Sequence, residues 1–175
     1  MMALCQTPKT IEPGISLHTC PPLHFFGPNA VHDAIPTGDH TYLLWNRKTG
    51  KILALREGNL ETALFSDLRN YKDSWYWKCE EKGGWLSLRH PASRSYVGYR
   101  EGKGQHSWAT DLVVGDSDIY NRFCYRLALD GGYQLLWEMG NELKVVAAVS
   151  GDAVQLKSSG AYEVANWEFV RMLDG

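Results

Sequence analysis

The sequence predicts an all-β domain with internal threefold symmetry. Three consecutive segments, 41–84, 85–132 and 133–175, can be aligned so that apolar residues recur at the same offsets. Each segment consists of short runs rich in aromatic and β-branched residues, separated by turns of Gly, Asn, Asp or Pro, which is typical of short strands. Three copies of a unit with four strands each fit the twelve strands of a single β-trefoil.

Two sets of recurring positions predict which side chains face the barrel axis. The leucines that stand three residues into each segment should point inwards. The aromatic residues near the end of each segment should fill one core layer, because alternate residues of a strand share a face. The leucines are Leu44, Leu88 and Leu136, and the aromatics are Trp75, Trp77, Phe123, Tyr125, Trp167 and Phe169.

Residues 1–40 differ from the rest and are predicted to form an irregular N-terminal arm. They hold six of the seven prolines and four of the six histidines, and their hydrophobic periodicity is weak. Apolar groups at 15–17 and 23–26 favour an arm that packs on the domain over a disordered tail. The expected organisation is therefore an arm over 1–40 and a β-trefoil over 41–175.

Composition and charge limit the classes of partner and compartment. The chain has 175 residues, of which 44% are hydrophobic and 22% charged, so one domain with a substantial core is expected. A formal net charge of −2 disfavours nucleic acid or an anionic membrane as the main partner. No apolar run suits a membrane span, and the N-terminus lacks the pattern of a signal peptide. The widely spaced cysteines are typical of free thiols, so a cytoplasmic protein is expected.

One set of positions on the first strands is predicted to face outwards. Trp45, Arg89 and Trp137 each follow a shared leucine by one residue, so strand alternation turns them away from the axis. Exposed tryptophans need a cover. The arm could simply bury these side chains, or it could enclose a pocket lined by aromatics and a few polar groups. The arm residues proposed for that pocket are His24, Phe25 and Phe26.

Other residues that could carry chemistry give weaker signals. The histidines and Cys20 of the arm match no zinc pattern, so neither a metal nor another cofactor is expected. The sequence has no phosphate-binding glycine loop, nucleophile elbow or His-Glu-x-x-His motif. His40, beside Asp39, is a candidate general acid or base. The loop at 105–121, with Trp108, is the longest break in the repeat, and binding loops often arise at such breaks.

The fourth-strand residues also bear on the best-known binders with this fold. Ricin-type carbohydrate modules carry a Gln-x-Trp motif in this strand, and their sugar sites use an Asp with an aromatic platform. Here Trp75, Phe123 and Trp167 occupy the glutamine position, which disfavours a ricin-type lectin. Fascin-like trefoils, which bundle actin, share the aromatic fourth strand but usually come as several trefoils in one chain.

Several runs within residues 41–173 carry a family resemblance. They are Trp77–Leu86, Phe123–Arg126, Asp130–Leu136 and Trp167–Phe169. In these runs the chain resembles a family of small, mostly uncharacterised filamentous-fungal proteins with a fascin-like β-trefoil pattern. The run Leu127-Ala128-Leu129 departs from the polar, His-Pro-containing run of related sequences. Such proteins resemble accessory members of fungal natural-product pathways, in which small cofactor-free proteins can act as pericyclases of the Diels–Alder kind by holding one reactive conformation.

Two classes of function are open at this point. The first is a protein of natural-product biosynthesis that binds a small hydrophobic ligand and acts, in its most specific form, as a cofactor-free cyclase of a polyketide or terpenoid intermediate. Arg89 would polarise a carbonyl or enol oxygen, with His40 as a second catalytic group. The ligand-binding residues would be Trp45, Trp137, Phe25, Phe26, His24 and Trp108. The second class is an interaction module that binds protein or glycan without chemistry.

Overall fold

The computed structural model describes residues 30–32, 34–67, 73–99, 112–116, 122–149, 151–158 and 166–173. Regular structure in these ranges is entirely β. The strands are β1 (Ala30–Val31), β2 (Thr41–Asn46), β3 (Lys51–Arg56), β4 (Asn59–Leu64), β5 (Trp77–Lys82), β6 (Trp85–Arg89), β7 (Tyr96–Tyr99), β8 (Leu112–Gly115), β9 (Phe123–Leu127), β10 (Tyr133–Met139), β11 (Glu142–Ala148), β12 (Val154–Ser158) and β13 (Trp167–Met172). None of the described segments forms a helix long and apolar enough to cross a membrane.

Six of the strands close into a barrel. β2, β5, β6, β9, β10 and β13 are hydrogen-bonded in that order, each antiparallel to the next. β13 then returns to β2 through six residue pairs, from Trp167 with Asn46 to Met172 with Thr41. Closure leaves these strands without a free edge.

The strands between them form three hairpins that cap the barrel. β3 pairs with β4, β7 with β8 and β11 with β12. β4, β8 and β12 contact one another, and a bridge joins Glu61 to Ala153. These hairpins follow the ends of β2, β6 and β10, which we call the cap end. The tight turns β5–β6 and β9–β10 therefore lie at the opposite, open end, and the fold is the predicted β-trefoil.

The pairing register shows which residues of the three copies are equivalent. In every copy the first strand meets the fourth at one aromatic residue. The pairs are Tyr42–Trp77, Leu86–Phe123 and Tyr133–Trp167. The third copy is consequently displaced by one residue, so the inward counterpart of Leu44 and Leu88 is Leu135 and not Leu136. The sequence could not distinguish the two adjacent leucines, since a slip of one residue exchanges the faces of a strand.

Four of the six fourth-strand aromatics fill the main core as predicted. Trp77, Phe123, Trp167 and Phe169 are all fully buried there. The two tryptophans satisfy their indole N–H groups in equivalent ways, because each donates to a second-strand carbonyl at 3.0 Å. The acceptors are Leu53 O for Trp77 and Val146 O for Trp167.

The other two fourth-strand aromatics lie outside the main core, and the prediction for them is wrong. Trp75 precedes β5 and packs on the outer face of the barrel against Phe65, with ring centroids 5.4 Å apart. Tyr125 is the middle residue of β9 and is 37% exposed. Its equivalent in the third copy, Phe169, is covered by neighbouring rings, so burial at this position depends on the copy.

The described part of the arm lies on the open end of the barrel. β1 pairs with the last residues of β13. Ala34 N then donates to Phe169 O at 3.0 Å, and Asp39 N donates to Cys79 O at 2.7 Å. Tyr42 Oη accepts a hydrogen bond from Thr37 N at 3.0 Å. The segment thus crosses from β13 to β5.

Candidate functional site

The outer face of the barrel differs between the three copies at one equivalent position. The residue that follows the inward leucine is aromatic in the first copy, charged in the second and aliphatic in the third. These residues are Trp45, Arg89 and Leu136, and they lie opposite Glu168, Lys78 and Cys124 on the adjacent fourth strands. Equivalent backbone positions therefore present three different surfaces.

The structure places Trp137 inside the barrel, which corrects the prediction that it faces outwards. It belongs to the main core, and its ring packs edge-on against Phe123 with centroids 4.7 Å apart. The cause is the one-residue displacement of the third copy, because adjacent strand residues face opposite sides. The platform of Trp45, Arg89 and Trp137 is therefore not formed.

Trp45 faces outwards as predicted but is covered. It belongs to a second hydrophobic cluster on the outer face of the first copy, and Ala30 of the arm packs against that cluster. The buried residues of the cluster are Leu43, Trp45, Ile52, Ala54, Ala63, Trp75 and Val170. In the described part of the arm, Ala30 is the residue that packs against this cluster.

A buried carboxylate lies beside Trp45. The Glu168 side chain is only 4% exposed, and its Oε1 is 2.5 Å from His32 Nδ1. Its Oε2 is 3.6 Å from Arg47 Nη1. Because a buried carboxylate is costly without partners, these contacts tie the arm to the barrel at His32. Sequence reasoning missed this group, since His32 and Glu168 are 136 positions apart and belong to no local motif.

The equivalent region of the second copy is open. We call Glu80, Arg89 and Tyr96 the Arg89 cluster. Arg89 Nη1 is 3.4 Å from Glu80 Oε1, and Tyr96 Oη donates to Glu80 Oε2 at 2.9 Å. The guanidinium carbon lies 5.7 Å from the centroid of the Tyr96 ring. The side chains of Arg89 and Glu80 are 29% and 30% exposed, so the cluster is accessible from solvent.

Strand register explains why these three residues meet. Arg89 is paired with Lys78 on one strand and with Tyr96 on another, so the side chains of Arg89, Lys78 and Tyr96 share the outer face. Glu80 stands two residues after Lys78 and therefore on the same face. Arg89 Nε is buried without a hydrogen-bond partner among the described residues, so the solvent-facing part of the guanidinium must supply any donor to a ligand. The sequence identified Arg89 but not its two neighbours.

The remaining predicted site residues do not join this cluster. His40 is exposed near the open end, where its ring lies 6.4 Å from that of Tyr42 and its carbonyl accepts the Cys79 amide. The described residues show no hydrogen bond between His40 and Arg89. The other four, His24, Phe25, Phe26 and Trp108, lie outside the described residues.

Two buried titratable groups, His90 and Cys79, have surroundings that suit a structural role and not catalysis. His90 Nε2 lies 2.6 Å from Asp73 O and its Nδ1 lies 2.9 Å from Ser93 Oγ. Burial lowers the pKa of His90, and the Asp73 carbonyl opposes that effect in part. Burial raises the pKa of the Cys79 thiol to about 12, which makes it a poor nucleophile. The described ranges hold no group of three residues that could bind a metal ion.

Comparisons with known proteins give the fold. No protein-family model and no curated protein matches the chain. It is similar to the Macrolepiota procera ricin B-like lectin in complex with lactose, at 14% identity and a TM-score of 0.63, covering 80% of this chain and 100% of that one. The Rhizoctonia solani agglutinin is 20% identical with a TM-score of 0.59, and the match covers 79% of this chain and 99% of that one. ThreeFoil, a designed three-fold symmetric protein, is 18% identical with a TM-score of 0.58, and the match covers 74% of this chain and 97% of that one. Such low identities show the β-trefoil alone.

Proposed function

We propose that the chain is a non-enzymatic, carbohydrate-binding β-trefoil and that the Arg89 cluster is its binding site. The observation that carries the proposal is the outer position of the second copy. Its counterparts, Trp45 and Leu136, are buried, while Arg89 is open and has Glu80 and Tyr96 beside it. Two of the similar structures, from Macrolepiota procera and Rhizoctonia solani, are a lectin and an agglutinin by name.

The chemistry of the cluster suits a saccharide. A sugar offers hydroxyl groups, which both donate and accept, and flat faces of C–H groups. The Glu80 carboxylate can accept from adjacent hydroxyls, and the Arg89 guanidinium can donate to them. The Tyr96 ring supplies an apolar face. Glu80 is held by both neighbours before a ligand arrives, which reduces the ordering cost of binding.

This site differs from the ricin-type motif considered above. In the observed register, the residues two positions before the inward aromatics are Trp75, Asn121 and Ala165, so no copy has the glutamine. Glu80 would take the role of the acid and Tyr96 that of the aromatic group. The cyclase hypothesis has lost the Trp45–Arg89–Trp137 platform on which it depended, and no described residue replaces it.

Calorimetric titration with lactose and other simple saccharides, together with a glycan array, tests the proposal. Arg89→Ala and Glu80→Gln should each weaken binding at least about tenfold, because each removes a charge-assisted hydrogen bond. Arg56→Ala is the matched control, since Arg56 Nε lies 3.0 Å from Glu61 Oε1 in a similar ion pair on the first copy. Failure of the wild type to bind any saccharide would contradict the proposed function. Binding that is unchanged in both variants would contradict the proposed site.

A further inference from the structure

The outer face beside the Arg89 cluster carries a further cation, Lys78. It is paired directly with Arg89 across β5 and β6, so the two side chains lie next to each other on this face. At the described strand positions of this face on β5, β6, β7 and β8, Glu80 is the one acidic residue. Its neighbour Glu81 alternates to the other face of β5. Two adjacent cations therefore share one carboxylate.

A directly opposed pair of like charges is unfavourable in the free protein. Opposed side chains on antiparallel strands have Cβ atoms about 5 Å apart, and like charges at that distance destabilise the sheet. The other two copies avoid this arrangement, because the equivalent pairs are Glu168 with Trp45 and Cys124 with Leu136. The second copy thus holds a local excess of positive charge that an anionic group would neutralise.

Glu80 does not neutralise both cations. Its Oε1 lies 3.4 Å from Arg89 Nη1, and its Oε2 accepts from Tyr96 Oη at 2.9 Å, so both carboxylate oxygens have partners other than Lys78. Lys78 itself is half-buried and makes no ion pair within the described part of the chain. A distance of 3.4 Å is also long for a charge-assisted hydrogen bond, which is usually about 2.7–2.9 Å. Arg89 can therefore donate to a second anionic group without losing a strong contact.

The two cations add a requirement to the saccharide of the proposed function. A group that accepts from both Lys78 and Arg89 must be anionic and must lie close to the sugar ring, because Tyr96 stands directly opposite Arg89 on the next strand. A carboxylate on the ring meets this requirement. It is planar, so its two oxygens match the guanidinium fork, while the lysine ammonium acts as a point charge beside it. A sulfate ester is tetrahedral and stands further from the ring.

We infer that the Arg89 cluster, together with Lys78, selects an acidic saccharide whose ring carries a carboxylate, such as a uronic or sialic acid. The ligand carboxylate lies between Lys78 and Arg89, and hydroxyl groups of the ring lie towards Glu80. Glu80 stands two positions after Lys78 on β5, about 7 Å along the strand, so the two carboxylates need not face each other. The inference rests on the proposed function, because it names the class of saccharide for the same site.

Calorimetric titration of the full chain with matched ligands measures the selection. The ligands are the methyl glycosides of glucuronic and galacturonic acid with their uncharged methyl esters, and sialyllactose and sulfated lactose with lactose. The preferred carboxylated ligand should bind at least about tenfold more tightly than its uncharged counterpart, and this ratio should fall as salt is added. Lys78→Gln should lower the ratio at least about threefold. Lys157→Gln is the matched control, since it removes the same charge from an exposed position on β12, and it should leave the ratio unchanged.

The stability of the ligand-free variant gives an independent reading. Because Lys78→Gln removes one of two opposed like charges, its urea midpoint should equal or exceed that of the wild type. A lower midpoint would show that Lys78 stabilises the fold through a partner of its own and would overturn the inference.

The binding results separate the inference from the proposed function. Equal affinity for every acid and its uncharged counterpart, with Arg89→Ala weakening both, would overturn the inference and leave the proposed function intact. A preference that is undiminished in Lys78→Gln would also overturn the inference, as would tighter binding of sulfated lactose than of every carboxylated ligand. If no saccharide binds, the proposed function fails and the inference fails with it.

Discussion

The one-residue displacement of the third copy can be tested at two adjacent leucines. The register places Leu135 in the main core and Leu136 on the outer face, where Arg89 stands in the second copy. Leu136→Arg therefore repeats a natural arrangement, and its side chain can extend towards solvent. Leu135→Arg places a charge in the main core, whose buried members, among them Trp77 and Phe123, are all uncharged.

The expected free energies of unfolding differ clearly. Leu136→Arg should cost about 2 kcal/mol, which is the burial of one leucine. Leu135→Arg loses a similar amount and adds the desolvation of a buried, unpaired cation, about 4 kcal/mol or more. That total is comparable with the whole stability of a domain, about 5–15 kcal/mol. Leu135→Arg should therefore be largely unfolded under conditions in which Leu136→Arg is folded.

Urea titration followed by tryptophan fluorescence and far-ultraviolet circular dichroism measures both variants. A loss of about 2 kcal/mol moves the urea midpoint by about 1 M at a typical slope for a small domain. Leu136→Arg should show such a shift with a cooperative transition, and Leu135→Arg should show no folded baseline. Equal losses in the two variants, or a larger loss in Leu136→Arg, would refute the observed register and favour the alignment by offsets.

Two further predictions concern groups buried around the barrel. Burial lowers the pKa of His90 in the folded chain, so the unfolded chain takes up the imidazole proton at a higher pH than the folded chain does. The stability that depends on neutral His90 is therefore complete above pH 6.5, the pKa of the unfolded chain, and is lost as the pH falls below that value. The urea midpoint of His90→Gln should accordingly fall less than that of the wild type from about pH 7 to about pH 5, and parallel curves would contradict this. Glu168→Gln removes the charge that attracts His32 and Arg47, so amide exchange at Ala34, measured by mass spectrometry, should accelerate. Glu138→Gln, in an exposed ion pair, is the control, and unchanged exchange in Glu168→Gln would show that the carboxylate does not hold the arm.

The fold could be predicted from the sequence because the repeat is encoded in spacing. Inward leucines and fourth-strand aromatics recur where a closed, threefold barrel needs them, and most of them are buried as expected. The register of the third copy could not be predicted, because Leu135 and Leu136 are adjacent and equally apolar. The two faces are distinguished by pairings between strands, such as Tyr133 with Trp167 and Trp137 with Phe123.

The candidate site could be predicted only in part, because the repeat reveals Arg89 but strand register determines its neighbours. Arg89 could be found because a charge stood where the other copies had apolar residues. Its partners Glu80 and Tyr96 lie on other strands, and their meeting depends on register. The His32–Glu168 contact spans 136 positions, so no spacing rule could reveal it.

The described part of the arm contacts the three copies of the barrel unequally. Its described residues pack on the Trp45 cluster through Ala30, pair with Arg171 through Val31 and approach Glu81 through Gly38, all in the first and third copies. The second copy receives no described arm contact at Arg89 or Leu127, which are its counterparts of Trp45 and of Glu81 and Arg171. The described arm residues thus contact the first and third copies. This unequal contact agrees with the position of the Arg89 cluster on the second copy, where the barrel itself would offer three equivalent choices.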